Sequence, residues 1–246
     1  TETDPLAYTR NVAYMKEKFG PSLSLHIPST YDPAEQNTKY REIMFEHFSE
    51  CVEYAQGIGA DVLVLHPGTI GQMDIPHEIT GIRHAQLKEY VQMKKEFAWK
   101  LTVESFRVLS DIAGEYHGMR ICAENLILDN EICCTMADMS RLLKDIGRSN
   151  VGAVFDNGHC HRTGENAGEF IRTLGDKLWH LHLTENDGTC DLHLMPGELG
   201  GNFDWREMMA ALGDIGYDGV YMVEGHYFKT DDLIATASFL DRLEKI

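Results

Sequence analysis

One pattern recurs six times along the chain. A short apolar, often β-branched run ends in a carboxylate or a histidine, and a loop and a helical stretch follow. The runs are Leu23-Ser24-Leu25-His26, Val62-Leu63-Val64-Leu65-His66, Met119-Arg120-Ile121-Cys122-Ala123-Glu124, Val151-Gly152-Ala153-Val154-Phe155-Asp156, Leu178-Trp179-His180-Leu181-His182 and Val220-Tyr221-Met222-Val223-Glu224. Runs of this length, bounded by Gly, Pro or Asn, read as buried strands. Amphipathic segments at about 38–58, 86–117, 136–146, 166–175, 204–215 and 230–245 read as helices, with Gly57 or Gly59, Gly118, Gly147 and Gly216 where four of them stop. Strand alternating with helix predicts a parallel sheet. In a parallel barrel the C-terminal ends of all strands share one face, whereas a doubly wound sheet gathers only the strands near its switch point. Six ionisable strand ends out of six favour the barrel. The expected fold is therefore α/β, a TIM-type (β/α) barrel forming a single domain over 1–246. A closed eight-stranded barrel needs two more strands, and 1–20 reads as a helix, so the first one or two strands are expected to be missing from the N-terminus.

A chain of 246 residues has room for one full core of this kind. Its formal net charge of −17, from 22 basic and 39 acidic residues, repels polyanions, so nucleic acid is not the expected partner. The same charge suits bound cations. Cys51, Cys122, Cys133, Cys134, Cys160 and Cys190 form no C-x-x-C pair and read as reduced thiols of a cytoplasmic protein. No apolar run approaches the roughly 18 residues of a membrane span. No signal peptide is read, and a chain that begins at Thr1 without Met reads as trimmed or as a fragment.

Divalent metals take carboxylate oxygens and imidazole nitrogens from several strands, because one strand directs only one or two ligands to a common point. The residues on offer are His26, His66, Glu124, Asp156, His159, His182, Asp191, His193 and Glu224. Asp156 and His159 form D-N-G-H, with Gly158 expected to permit a tight turn after the strand. Asp191 and His193 form D-L-H in the loop after His182, where they serve either as ligands or to order 184–200. His180 shares the strand face of His182 one layer deeper and reads as structural. Trp179 and Trp205 read as packing residues. His161, His226 and Tyr227 follow strand ends and are given no chemical role. Lys88, Lys94, Lys95 and Lys100 read as a solvated helix face, and the loop 67–85, rich in Gly, Pro and His, as a candidate lid or substrate loop.

The segments "LHIPS", "GADVLVLHPG", "CAENL", "VFDNGHCHRTG", "HLHLTENDG", "DLHLMPGE" and "YDGVYMVEG", in this order and each at a strand end, resemble the xylose isomerase-like barrel superfamily. That superfamily includes sugar isomerases, sugar epimerases and endonuclease IV. The resemblance runs from His26 to Glu224. In the epimerase branch it implies one divalent ion, commonly manganese, held by Glu124, Asp156, His182 and Glu224, with the two glutamates moving a proton and the metal stabilising an enediolate. In the endonuclease IV branch it implies three zinc ions. His26, His66 and Glu124 would hold the first. Glu124, Asp156, His182 and Glu224 would hold the second, and His159, Asp191 and His193 the third. The chain departs from that second branch. "ENTAG" is here Glu124-Asn125-Leu126-Ile127, and "DTCH" is Asp156-Asn157-Gly158-His159. Loop 67–85 has one arginine, Arg83, and no aromatic wedge to open DNA.

The resulting expectation is a divalent-metal-dependent sugar or keto-sugar isomerase or epimerase acting by proton transfer. Manganese or zinc is the expected ion, with magnesium or cobalt as alternatives. Glu124, Glu224 and His159 are expected to be catalytic, and His66, His26 and His193 to bind substrate. Glu124, Asp156, His182 and Glu224 are the expected metal shell, with His26, His66, His159, Asp191 and His193 as candidates for further metal. An endonuclease IV-type zinc phosphodiesterase, a metal-dependent dehydratase or lyase, and a non-catalytic sugar-binding barrel are the alternatives. The expected partner is a small carbohydrate, unphosphorylated because no arginine-rich cradle is present. No membrane is expected, and the sequence leaves the oligomeric state open, a homo-oligomer included.

Overall fold

The computed structural model describes residues 5–20, 22–71, 81–198, 200–225 and 229–243. All six sequence runs are strands: β1 (Ser24–His26), β2 (Val62–Leu65), β3 (Arg120–Glu124), β4 (Val151–Asp156), β5 (Leu178–Leu183) and β6 (Val220–Val223). They form one parallel sheet in the order of the sequence, β1-β2-β3-β4-β5-β6. Each connection carries a helix: α1 (Pro5–Phe19) precedes β1, α2 (Thr38–Ile58) precedes β2 and α3 (Gly81–Gly114) precedes β3. α4 (Met136–Ile146) precedes β4. α5 (Asn157–Thr163) and α6 (Ala167–Leu174) precede β5, α7 (Trp205–Ile215) precedes β6, and α8 (Thr230–Leu243) follows it. Sequential parallel strands with a helix in every crossover are the TIM-barrel arrangement, here curled through six strands.

Alternation along the strands divides the sheet into two faces. Leu63, Leu65, Ile121, Ala123, Ala153, Phe155 and Leu181 pack outward into the main core beneath the helices. Val62, Val64, Cys122 and Val154 form a small inner cluster, and His180 and His182 share that parity. The central strands β2 to β5 are buried, while β1 and β6, at the two edges of the described sheet, are partly exposed. Among the described residues no helix is long and apolar enough to cross a membrane.

Three local features differ from the sequence reading. α3 ends at Gly114, and Gly118 lies in the turn four residues beyond it rather than at the helix stop. A short helix, α5, begins immediately after β4, where a tight turn is expected. Gly158 is inside α5 and does not supply a left-handed turn. Instead, a Cβ at this position would overlap the Thr184 methyl and crowd Asn186 Nδ2 at 3.0 Å, so the glycine permits close packing of α5 on the exit of β5. Finally, the pairing of β4 with β5 shifts register between Ala153 and Val154. Ala153 faces Leu178, but Val154 faces His180 and Asp156 faces His182. Without the extra residue Asp156 would face Leu181, whose side chain points to the helices. The bulge therefore puts Asp156 and His182 on the same inner face.

Candidate metal centre

Glu124, the last residue of β3, is buried at the centre of the C-terminal mouth. Its Oε1 lies 2.9 Å from His182 Nδ1, and its Oε2 lies 3.2 Å from His26 Nε2 and 3.4 Å from His66 Nε2. Burial opposes its charge, but His182, His26 and His66 outweigh burial and hold the carboxyl well below the usual range. Glu224, just past β6, places Oε2 3.0 Å from the same His182 Nδ1, and Asp156 Oδ2 lies 3.9 Å from it. One ring nitrogen thus faces three carboxylates, and one N–H cannot satisfy them all. Burial also opposes charge on the His182 ring, yet Glu124 and Glu224 together raise it well above its ordinary value.

Asp156 has two roles. Its Oδ1 caps α5 by accepting from the His159 N–H at 2.7 Å. Its Oδ2 is buried with no hydrogen-bond partner among the described residues. Burial pushes its carboxyl up to about 6, with His159 pulling it down and Glu124 pushing it further up. An orphaned carboxylate oxygen beside two other carboxylates is costly unless a cation completes it. One ligand atom each from Glu124, Asp156, His182 and Glu224 lies within 4.8 Å of the others. Three carboxylate oxygens and one imidazole nitrogen suit a hard or borderline divalent ion such as manganese, magnesium, cobalt or zinc. On these grounds the residues fit a metal.

Two further groups adjoin this one. His26, His66 and Glu124 form a set, as do His159, Asp191 and His193, each within the same 4.8 Å limit. His193 Nε2 lies 2.6 Å and His159 Nε2 3.4 Å from Asp191 Oδ2, while Asp191 Oδ1 is buried without a hydrogen-bond partner among the described residues. Burial disfavours charge on His159, but Asp156 and Asp191 outweigh it and raise the ring to about 10. The hydrogen bond to Asp191 raises His193 to about 9. The Nδ1 atoms of His26, His159 and His193 lie 2.7, 2.8 and 3.1 Å from the backbone carbonyls of Ile27, Asn125 and Glu224. Each Nε2 is thereby turned toward the carboxylates, the orientation that ligand histidines require.

The structure brings together every residue singled out in the sequence as a ligand or substrate contact. His180 sits two residues deeper than His182, fully buried, with its ring lowered to about 4 by burial. Trp205 does more than pack. Its indole donates to Glu185 Oε2 at 2.5 Å, and the N–H groups of Phe203 and Gly197 also point to that carboxylate. Glu185 also pairs with Leu194 through its backbone, closing the loop that carries Asp191 and His193. His193 itself has φ of 47°, a left-handed conformation that stores strain at this point. Glu185 and the buried asparagines 125, 157 and 186 are missed by the sequence reading. The only signal is that Asn125 and Asn157 each directly follow a strand-end carboxylate. His161 packs on Phe203 at 5.6 Å, outside the three groups. Of the loop 67–85, residues 72–80 lie outside the described residues, as do the side chain of Arg83 and residues His226 and Tyr227. The start of that loop is fixed: Thr69 bonds to both oxygens of Asp32, and Ile70 N donates to Asn130 O.

Comparisons with known proteins bear on the family and the fold. The chain is 29% identical over 224 residues to an uncharacterised protein of Methanocaldococcus jannaschii, covering 87% of this chain and 69% of the other. It is 30% identical over 158 residues to a D-psicose 3-epimerase of Agrobacterium fabrum, covering 63% of this chain and 52% of the epimerase. The match thus spans about half the length of that enzyme. The crystal structure of a D-tagatose 3-epimerase-like protein superposes with a TM-score of 0.77 over 97% of this chain and 83% of the other, at 23% identity. That last likeness bears on the fold alone. The family model described as a xylose isomerase-like TIM barrel matches residues 3–243, and the chain belongs to that family.

Proposed function

We propose that this chain is a divalent-metal-dependent sugar or keto-sugar epimerase or isomerase, working at the Glu124–Asp156–His182–Glu224 group. One observation carries the reading: three carboxylates converge on one histidine nitrogen, with Asp156 Oδ2 buried and unpartnered. The similarity to a D-psicose 3-epimerase supports the substrate class. A bound divalent ion supplies a Lewis acid beside the substrate carbonyl and makes the adjacent C–H more acidic.

The chain's own residues do the rest. Glu124 is locked by three histidines, with its side chain 2% exposed, whereas the Glu224 side chain is 38% exposed and open to the mouth. Glu224 is the base that takes the carbon-bound proton and exchanges it with solvent. Glu124, on the other side of His182, returns to the opposite face of the carbon a proton passed to it by the His26 ring, whose Nε2 lies 3.2 Å from its Oε2 and whose side chain is 36% exposed to solvent. A proton leaves one face and another arrives on the opposite face, so the substrate inverts with no net change in atoms. His66 and His26 on one flank, and His159 and His193 on the other, are placed to bond the sugar hydroxyls. A lyase acting on an oxidised sugar would begin with the same proton removal, at the same pair of carboxylates.

Solvent-deuterium wash-in on a panel of ketoses tests this. Wild-type protein loaded with manganese should incorporate deuterium at one carbon of at least one ketose. Glu224→Gln should lower that rate by about 10²- to 10⁴-fold, the usual contribution of a positioned acid–base group. Absence of C–H exchange from every ketose, or full exchange in the variant, would refute the assignment.

A zinc phosphodiesterase of the endonuclease IV type is the second reading, favoured by the gathering of nine residues into three groups. Charge counts against it. The four-residue group has three carboxylates to one histidine and needs an ion. The His159–Asp191–His193 group has two histidines to one carboxylate and so carries no excess of negative charge. A chain with net charge −17 is also a poor DNA binder.

A further inference from the structure

Glu124 and Asp156 are each followed by a fully buried asparagine, and the two asparagines bond in the same way. Asn125 accepts from the Asp156 N–H through Oδ1 at 2.8 Å and donates to the Asp156 carbonyl through Nδ2 at 3.0 Å. Asn157 accepts from the Thr184 N–H at 2.9 Å and donates to the Thr184 carbonyl at 2.9 Å. Each amide grips both backbone groups of one residue on the next strand's exit. It can be seated only one way round, since its partner offers one donor and one acceptor.

The positions follow from the sheet register. Glu124 pairs with Val154 and Asp156 with His182, so the backbone ladders between β3 and β4 and between β4 and β5 end at the cluster residues themselves. Beyond the last rung, parallel strands are free to splay. The asparagine side chains add one more rung at that height, joining the exits of β3 to β4 and of β4 to β5. They do so without charge, whereas an aspartate or lysine there would change the charge balance of the cluster. The Asn125 carbonyl is also the group that His159 Nδ1 meets at 2.8 Å, so the same residue sets the ring of His159.

We propose that Asn125 and Asn157 are positioning residues of the metal centre: their amides clamp three successive strand exits together and so fix Glu124, Asp156 and His182 at ion-binding separation before an ion arrives. This rests on the metal reading above. It differs from a merely structural role in one respect. Loss of a clamp weakens ion binding more than it weakens the fold.

The structure supplies its own control. Asn150, at the opposite end of β4, makes the same kind of clamp on Ser110, accepting from its hydroxyl at 2.5 Å and donating to its carbonyl at 2.9 Å. Manganese affinity of the full chain should be measured by chelator competition, with melting temperature recorded on the metal-free protein. Asn125→Ala and Asn157→Ala should each weaken manganese binding about 10- to 100-fold, the usual cost of losing a group that orients a ligand. Asn150→Ala should lower the melting temperature and leave the affinity unchanged. If an alanine variant does not fold, Asn125→Ser and Asn157→Ser, which keep one acceptor, should show a smaller loss in the same direction. Wild-type affinity in the 125 and 157 variants, or an equal loss in Asn150→Ala, overturns the proposal. Amide hydrogen exchange separates the two levels of the claim. In the metal-free protein the Asp156 and Thr184 N–H groups should exchange slowly, and fast in the Asn125 and Asn157 variants respectively. Fast exchange at both in the wild type means the clamps do not exist. A wild-type chain that binds no divalent ion but protects both amides overturns the metal reading, and with it the positioning role, while leaving the clamps as scaffold.

Discussion

Asp156 shows how much one side chain is asked to do at this site. One oxygen caps α5 and the other is held, buried and unpartnered, among like charges. The histidines around it are the counterpart: in the metal-free protein they carry the positive charge an ion would supply. His159 is raised to about 10 and His193 to about 9, and His182 is also raised well above its ordinary value. A group whose folded value is raised stabilises the fold fully below its unfolded value of about 6.5, and that contribution is lost as pH rises through the folded value. The melting temperature of the metal-free protein should therefore fall as pH rises from about 6.5 and level off above about 9 to 10. Manganese affinity should rise with pH, because Glu124 and Glu224 hold a proton on His182 that the ion must displace. Calorimetry in two buffers of different ionisation enthalpy should show proton release on binding at neutral pH. Affinity that is flat with pH would contradict this charge assignment. The four residues proposed as ligands were legible in the sequence, because each stands at the end of an apolar run where a carboxylate or imidazole has no packing reason to be. The second role of Asp156 was not, since a cap and a ligand call for the same residue type.

Elements differ in how plainly the sequence declares them. Strands buried on both faces of a parallel sheet read as continuous apolar runs, which is why β2 to β5 were visible, and the partly exposed β1 and β6 still show as short runs closed by His26 and Glu224. α5 was hidden because it is only seven residues long, starts directly after the strand's last residue and contains a glycine. The register shift between β4 and β5, where Trp179 is the unpaired residue, was invisible for a different reason. A bulge leaves the composition of a strand unchanged, yet here it decides that Asp156 joins His182 instead of facing the helices. The packing of α5 gives a direct check. Gly158→Ala drives a methyl into Thr184 and Asn186, and should destabilise the fold by about 1–3 kcal/mol, as overpacking does elsewhere. It should also weaken ion binding, because α5 carries His159 and is capped by Asp156. Denaturant unfolding and chelator competition measure the two effects. A variant unchanged in both would mean that α5 does not pack as described.

At the scale of the whole molecule, a parallel sheet in strictly sequential order gathers the ends of six strands at one mouth, and Glu124, Asp156 and Glu224 meet there. The barrel and its functional face were legible from alternation and strand ends alone. How many ions that face holds was not, because the same nine residues serve one ion with histidines facing a sugar, or three ions and no sugar. Charge distinguishes the two: only the Glu124–Asp156–His182–Glu224 group has an excess of negative charge that its own histidine cannot balance. The most direct test is elemental analysis of the chain after loading with excess divalent metal and gel filtration. The account predicts one divalent ion per chain, lost in Asp156→Asn. Three zinc ions per chain, or none, would contradict it.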